Sequence, residues 1–279
     1  MASPTPRTYR LANGKQIVCD STANAKLLDD EIFQRKLYAE HGIVLNNGDC
    51  IFDVGANIGC FLLMLNECLG DARVFCFEPL PDTFGLLKQN SQHHNHLTTQ
   101  LFNCGLSSQV GVARFTYFPL SSVNSTMHPR DAREFHRESR EFILEEISQC
   151  RAVLKRAVRS TPGWIWFPIT ESIRRYYQRS ELIECQLQTL ANIIDEYGVE
   201  RIDLLKIDTE GAEQSILAGL RESDWPIIQQ VVVEVHDGPA GGTAVTDLLE
   251  SHGFRTSTGK PQDQIDRLSM VYATRSTTA

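Results

Sequence analysis

No run of this sequence is apolar for long enough to span a bilayer, so a membrane-embedded protein is not expected. A secretory leader is missing too: residues 1–6 are polar and no apolar stretch follows them. None of the eight cysteines forms a C-x-x-C pair. Several sit in apolar runs, where a thiol acts as a small hydrophobe, and a cytoplasmic, reducing location is expected. Basic charge is in short supply. Lys and Arg total 27 against 35 Asp and Glu, a net −8, which argues against a protein that tracks a nucleic-acid backbone. Absent as well is G-x-G-x-x-G, the pyrophosphate cradle a nicotinamide dehydrogenase would need.

What is present fits one large α/β domain with an insertion. Hydrophobic residues make up 42% of 279, enough for a full core. Residues 1–48 read as an approach segment. A hairpin turns at Asn13-Gly14, and Ile32, Phe33, Leu37 and Tyr38 recur at helical spacing up to Gly42. From residue 49 short apolar strands alternate with helices. Strands are predicted at 50–54, 74–77, 101–104, 203–207 and 228–235, with helices at 61–69, 83–90, 187–197, 212–220 and 244–249. Residues 112–118 alternate like an antiparallel strand, and short strands follow near 254–256 and 269–273. This order predicts a Rossmann-like, mostly parallel seven-stranded sheet with helices on both faces. The rhythm breaks at about 129–184. There charges of both signs, amphipathic spacing and the cluster Trp164-Ile165-Trp166-Phe167 suggest a helical insert, either a solvated appendage or a lid over the substrate.

Chemistry concentrates at strand ends. Asp53-Val54-Gly55-Ala56-Asn57-Ile58-Gly59 ends a strand in a glycine turn that opens a helix. Gly55 lets backbone approach a ligand, and the helix N-terminus points amides at it. Alone, this is any nucleotide-like site or a tight turn. About 20 residues on, Glu78 ends the next strand, where a carboxylate can accept from both hydroxyls of a ribose or simply charge a helix start. A nucleoside without a pyrophosphate fits both features.

These two motifs, Asn103-Cys104-Gly105-Leu106-Ser107 and the run Leu204-Leu205-Lys206-Ile207-Asp208-Thr209-Glu210-Gly211-Ala212-Glu213 together resemble the FkbM family of methyltransferases, in that order. The resemblance covers about 45–240 outside the insert. It implies a class I methyltransferase fold, S-adenosyl-L-methionine as methyl donor, and a hydroxyl oxygen as the usual acceptor. It further implies that Asp53, Gly55, Asn57 and Gly59 hold the methionine part, Glu78 the ribose, and Asn103 and Gly105 the adenine. Asp208 should face the sulfonium or the acceptor. Tyr117-Phe118-Pro119 with Asn124-Ser125-Thr126 is similar to the branch found in polyketide and peptide assembly lines. The acceptor is therefore a small molecule, free or carried on an acyl or peptidyl carrier protein. Methylation of nitrogen or a carboxylate, and a silent donor-binding scaffold, are the rival readings. No oligomeric state follows from the sequence.

A neutral hydroxyl is a weak nucleophile, so a general base is expected. Glu234 and His236 are two apart at the end of a strong strand and should share a face. His236 is the candidate base, with Glu234, Glu210 or Asp208 as partners. Glu213 either orients His236 or caps the helix after it. His128, just before the insert, is the alternative base. No metal is expected, although Asp208, Glu210, Glu234 and His236 could ligate magnesium. The His93–His96 run reads as a solvated helix end.

Overall fold

In the two strands that flank the glycine turn, β3 (Asp49–Val54) and β4 (Ala72–Phe77), nearly every residue is buried, as strands covered on both faces must be. The computed structural model describes residues 6–94, 96–117, 181–259 and 269–275. Helices α2 (Cys60–Cys68) and α3 (Pro81–His94) follow β3 and β4, and β5 (Thr98–Phe102) completes one half of the sheet. The other half holds β9 (Leu204–Asp208), β10 (Gln230–Val235), β11 (Arg255–Gly259) and β12 (Ser269–Thr274). The seven strands run β11-β12-β10-β9-β3-β4-β5, and β12 is antiparallel to both its neighbours. This is the class I methyltransferase arrangement expected.

Side-chain alternation sorts the core into two layers. Ile51, Val74, Cys76, Leu204 and Val232 pack towards α2 and α3 in one cluster. Phe52, Phe75, Phe77, Leu205, Ile207 and Val233 pack towards α4 (Leu190–Glu196), α5 (Glu213–Leu217) and α6 (Gly238–Ser251) in the other. By the same parity Asp53, Lys206, Asp208 and Glu234 all project to the α2 and α3 face. The register sets Asp53 beside Lys206 and Glu234 beside Asp208.

The N-terminal arm packs on that face. Strands β1 (Arg7–Arg10) and β2 (Gln16–Cys19) form the hairpin, with Gly14 at φ 85° in its turn. The helix expected around 32–38 begins earlier, at Thr22, because Ser21 caps α1 (Thr22–Leu28) by accepting from the Asn24 amide at 3.1 Å. The chain then widens into a π-helix, Asp29–Gln34, and turns at Lys36 (φ 56°) into a 3-10 turn, Leu37–Ala39.

Two further expectations shift. Residues 187–188 belong to a strand, β8 (Glu181–Gln188), in which Ile183, Cys185 and Leu187 alternate inward, and Thr189 caps α4 behind it. Strand β8 pairs with β6 (Gly105–Leu106) and β7 (Gly111–Tyr117), so residues 181–184 are strand and not helical insert. The rest of the expected lid, with His128 and the Trp164–Phe167 residues, lies outside the described residues. Among the described residues, no helix is long and apolar enough to cross a membrane.

Candidate active site

The glycine turn sits at the carboxyl edge of the sheet, where open parallel sheets collect their ligands. At Gly55 (φ 79°) a Cβ would lie 1.8 Å from the Asp208 carbonyl oxygen, so no side chain fits there. The amides of Gly55 and Ala56 both donate to the Phe77 carbonyl at 3.0 Å, which ties the turn to the end of β4. Asn57 is left-handed (φ 49°), and its side chain accepts from the Ile58 amide at 2.8 Å.

Glu78 stands at the end of β4, buried, and accepts from the amides of Asn57 at 3.1 Å and Leu80 at 2.9 Å. Burial pushes its carboxyl up to about 7 against the pull of those two amides. Its carboxylate thus braces both turns, and each oxygen keeps a lone pair for a further donor. Asn103 donates to the carbonyls of Glu78 and Pro79, both at 3.0 Å, so it secures this loop. Gly105 lines a cleft together with Val54, Gly55, Phe77, Pro79, Phe115 and, from the segment after β9, Thr209, Glu210 and Ala212.

Beside the cleft lies a buried charge cluster. Lys206 donates to Asp53 at 2.8 Å and to the Gly55 carbonyl at 3.1 Å, and stands 3.5 Å from Asp208. Burial opposes the ammonium, but Asp53 and Asp208 outweigh it and hold its pKa above the ordinary lysine value. Burial also pushes Asp53 up, against the pull of Lys206. The other Asp53 oxygen, Oδ2, is buried with no hydrogen-bond partner among the described residues. Tyr38 donates to Asp208 at 2.6 Å, and its ring lies 4.9 Å beneath the Lys206 ammonium. Glu234 hydrogen-bonds Asp208 from the next strand. Burial and the Asp208 charge push Glu234 well above the carboxylate range, while Lys206 and Tyr38 overcome the burial of Asp208 and hold it below. The two shifts run in opposite directions, so a proton on this pair favours Glu234 over Asp208.

His236 lies just past β10. Its Nδ1 is 3.0 Å from Glu213 and its Nε2 is 3.4 Å from Glu210. Of the two roles left open by the sequence, Glu213 makes the contact with His236; it also accepts from the Gly211 amide at 3.0 Å ahead of α5, but no side chain among the described residues caps that helix. Of the three expected partners, Glu210 contacts His236 directly. Glu234 and Asp208 act on it only through charge. Lys206 and Tyr38 were not assigned from sequence.

A sequence profile described as "Methyltransferase FkbM domain" matches residues 53–256, most of the chain. The chain belongs to the FkbM family of methyltransferases. The 31-O-demethyl-FK506 methyltransferase FkbM of Streptomyces tacrolimicus is 34% identical over 252 residues, covering 90% of each chain. Methyltransferase sdnD of Sordaria araneosa is 30% identical over 264 residues, covering 91% of this chain and 92% of that one. The AMB antimetabolite synthetase AmbE of Pseudomonas aeruginosa is 32% identical over 253 residues, which are 88% of this chain but 11% of AmbE. A solved FkbM methyltransferase from Methylobacillus flagellatus KT superposes with a TM-score of 0.46 at 13% identity, over 83% of this chain and 45% of that one.

As an FkbM methyltransferase the protein uses S-adenosyl-L-methionine as its methyl donor. The site suits that molecule: an apolar cleft meets a glycine turn, and Asp53 Oδ2 is an orphaned buried acceptor for a cationic group. Glu78→Ala is expected to weaken donor binding by about 1–3 kcal/mol, the scale of hydrogen bonds to a charged group. Calorimetry checks this, and unchanged affinity would make Glu78 only a brace of the two turns.

Proposed function

We propose that this methyltransferase acts on a hydroxyl oxygen of a small-molecule or carrier-tethered natural-product intermediate, with His236 as general base. The observation that carries the reading is the Glu213–His236 contact, with Glu210, which lines the cleft, 3.4 Å from the other ring nitrogen. S-adenosyl-L-methionine, when bound, supplies an electrophilic methyl group. Gly55, Asn57, Gly59 and Asp53 would hold its methionine part, Glu78 its ribose, and the Gly105 side of the cleft its adenine. Asn103 would support that side through the loop it secures. Asp208, ionised at the end of β9, would stand on the side of the sulfur.

The protein's own work is proton handling and orientation. With Nδ1–H donating to Glu213, neutral His236 has its Nε2 lone pair 3.4 Å from Glu210 Oε2, two acceptors between which an acceptor hydroxyl would enter as the donor. An acceptor hydroxyl held there gives its proton to Nε2 as its oxygen attacks. Glu213 stabilises the imidazolium that results. An oxygen acceptor is supported by the relative named for 31-O-demethyl-FK506, and the segment matched within AmbE supports delivery on an assembly line.

Incubation with labelled S-adenosyl-L-methionine and a panel of hydroxylated acceptors, free and bound to carrier protein, tests this. The expected mass-spectrometric result is one added methyl on oxygen. Methylation confined to amines or carboxylates would overturn the hydroxyl reading, and a panel of bound donor without product would favour a silent scaffold.

A further inference from the structure

Tyr38 comes from the N-terminal arm, before residue 53, where the family match begins. Even so, its hydroxyl reaches the centre of the site. The 3-10 turn that carries it is held by Tyr272, which donates to the Leu37 carbonyl at 2.8 Å. The ring packs edge-on against Phe61, 5.4 Å between centroids, and is 2% exposed. The preceding π-helix, a geometry common at functional sites, carries Glu31 into the same electrostatic neighbourhood. Nothing about this placement is needed to fill the core, because a phenylalanine would fill it equally well. The hydroxyl is the part that requires another explanation.

The charges supply it. At contact distance Asp53 and Asp208 share one cation, Lys206, which leaves a surplus negative charge at the sheet edge. Glu234 stands beside Asp208 in the register of β9 and β10, so the two carboxyls compete for a proton. A hydroxyl that donates to Asp208 favours its ionised form and leaves the proton on Glu234. The two forms of the donor molecule differ in this respect. S-adenosyl-L-methionine carries a sulfonium, whereas the product, S-adenosylhomocysteine, has a neutral thioether at the same atom.

We infer that Tyr38 is a positioning residue that keeps the negative charge on Asp208, and so makes the site prefer the sulfonium donor to its neutral product. The inference rests on the reading that Asp208 stands on the side of the donor's sulfur. Its consequence is release of product: once the methyl has left, the attraction that Tyr38 maintains has no sulfonium to act on.

The test is calorimetry of the full chain with S-adenosyl-L-methionine and S-adenosylhomocysteine separately, so no acceptor is required. Tyr38→Phe keeps the ring and its packing. It is expected to reduce the ratio of product Kd to donor Kd about threefold, and Asp208→Asn about tenfold, which is 1.4 kcal/mol. On the Asp208→Asn background, Tyr38→Phe should add nothing. Equal weakening of both ligands by Tyr38→Phe, or no change in either, would overturn the inference and leave Tyr38 a packing residue. If Asp208→Asn binds both ligands with the wild-type ratio, the placement of Asp208 beside the sulfur fails and takes the inference with it. A ratio that falls with Asp208→Asn but not with Tyr38→Phe would retain that placement and remove Tyr38 alone. Should Asp208→Asn not fold, the ratio measured for Tyr38→Phe decides by itself.

Discussion

His236→Ala is expected to lower turnover by roughly 10²–10⁴-fold, the scale for removing a general base, while donor affinity changes little. The geometry separates the two effects. His236 contacts Glu213 and Glu210, and neither belongs to the glycine turn or to the Asp53–Lys206 pair that would hold the donor. Steady-state rates with the acceptor found by the panel, together with calorimetry of S-adenosylhomocysteine, measure both quantities on one preparation. Near-normal turnover in the variant would leave methyl transfer to proximity alone or pass the base to His128. Loss of donor binding would make the histidine structural.

The same contacts set the pH dependence. Burial works against the imidazolium, but Glu213, Glu234 and Asp208 outweigh it and raise the His236 pKa above 6.5. A base must be neutral to act, so activity should fall as pH drops through a value above 6.5. Glu213→Gln removes a negative charge and should move that acid limb to lower pH. Stability runs the other way. A raised histidine pKa contributes stability that is fully present below the unfolded value and is lost as pH climbs through the folded one. In the window above 6.5 the enzyme therefore gains activity while losing that stabilisation.

The sheet was legible because buried parallel strands write themselves as apolar runs, and Gly55 and Glu78 mark where two of them end. The charged centre was harder to read. Lys206 lies within Leu204-Leu205-Lys206-Ile207-Asp208, and an ammonium in a strand covered on both faces demands a counterion on its own face. Parity alone points to Asp208, and the neighbouring strand supplies Asp53. Tyr38 offered no such signal, since its partner Asp208 lies 170 residues along the chain and helical periodicity marks only a core position. Glu213 was ambiguous for a different reason: its carboxylate satisfies a local amide and a distant imidazole together. The arm was misjudged at its start because the Ser21 cap precedes a polar stretch, Thr22, Asn24 and Lys26, that carries little apolar periodicity.

Lys206→Met should cost about 3–5 kcal/mol of stability, the scale of breaking a buried ion pair by removing one partner. Methionine fills a similar volume, so the loss is electrostatic and not a cavity effect. Asp53 and Asp208 would be left facing each other without the cation that now lies 2.8 Å from one and 3.5 Å from the other. Asp53 is fully buried, so water cannot replace the ammonium there. The carboxyls would then take up protons, and the variant should regain stability as pH falls, opposite to an ordinary acid denaturation profile. The Gly55 carbonyl also loses its donor, so the turn that approaches the ligand should loosen. Urea titrations at several pH values would measure the loss and its pH trend. Wild-type stability at neutral pH would show that the two carboxylates find partners other than Lys206. Asp53→Asn combined with Lys206→Met removes the charge conflict and should recover part of the stability. Donor binding should remain weak in that double variant, because Asp53→Asn removes the charge of the carboxylate whose second oxygen, Oδ2, is proposed to receive the donor's ammonium.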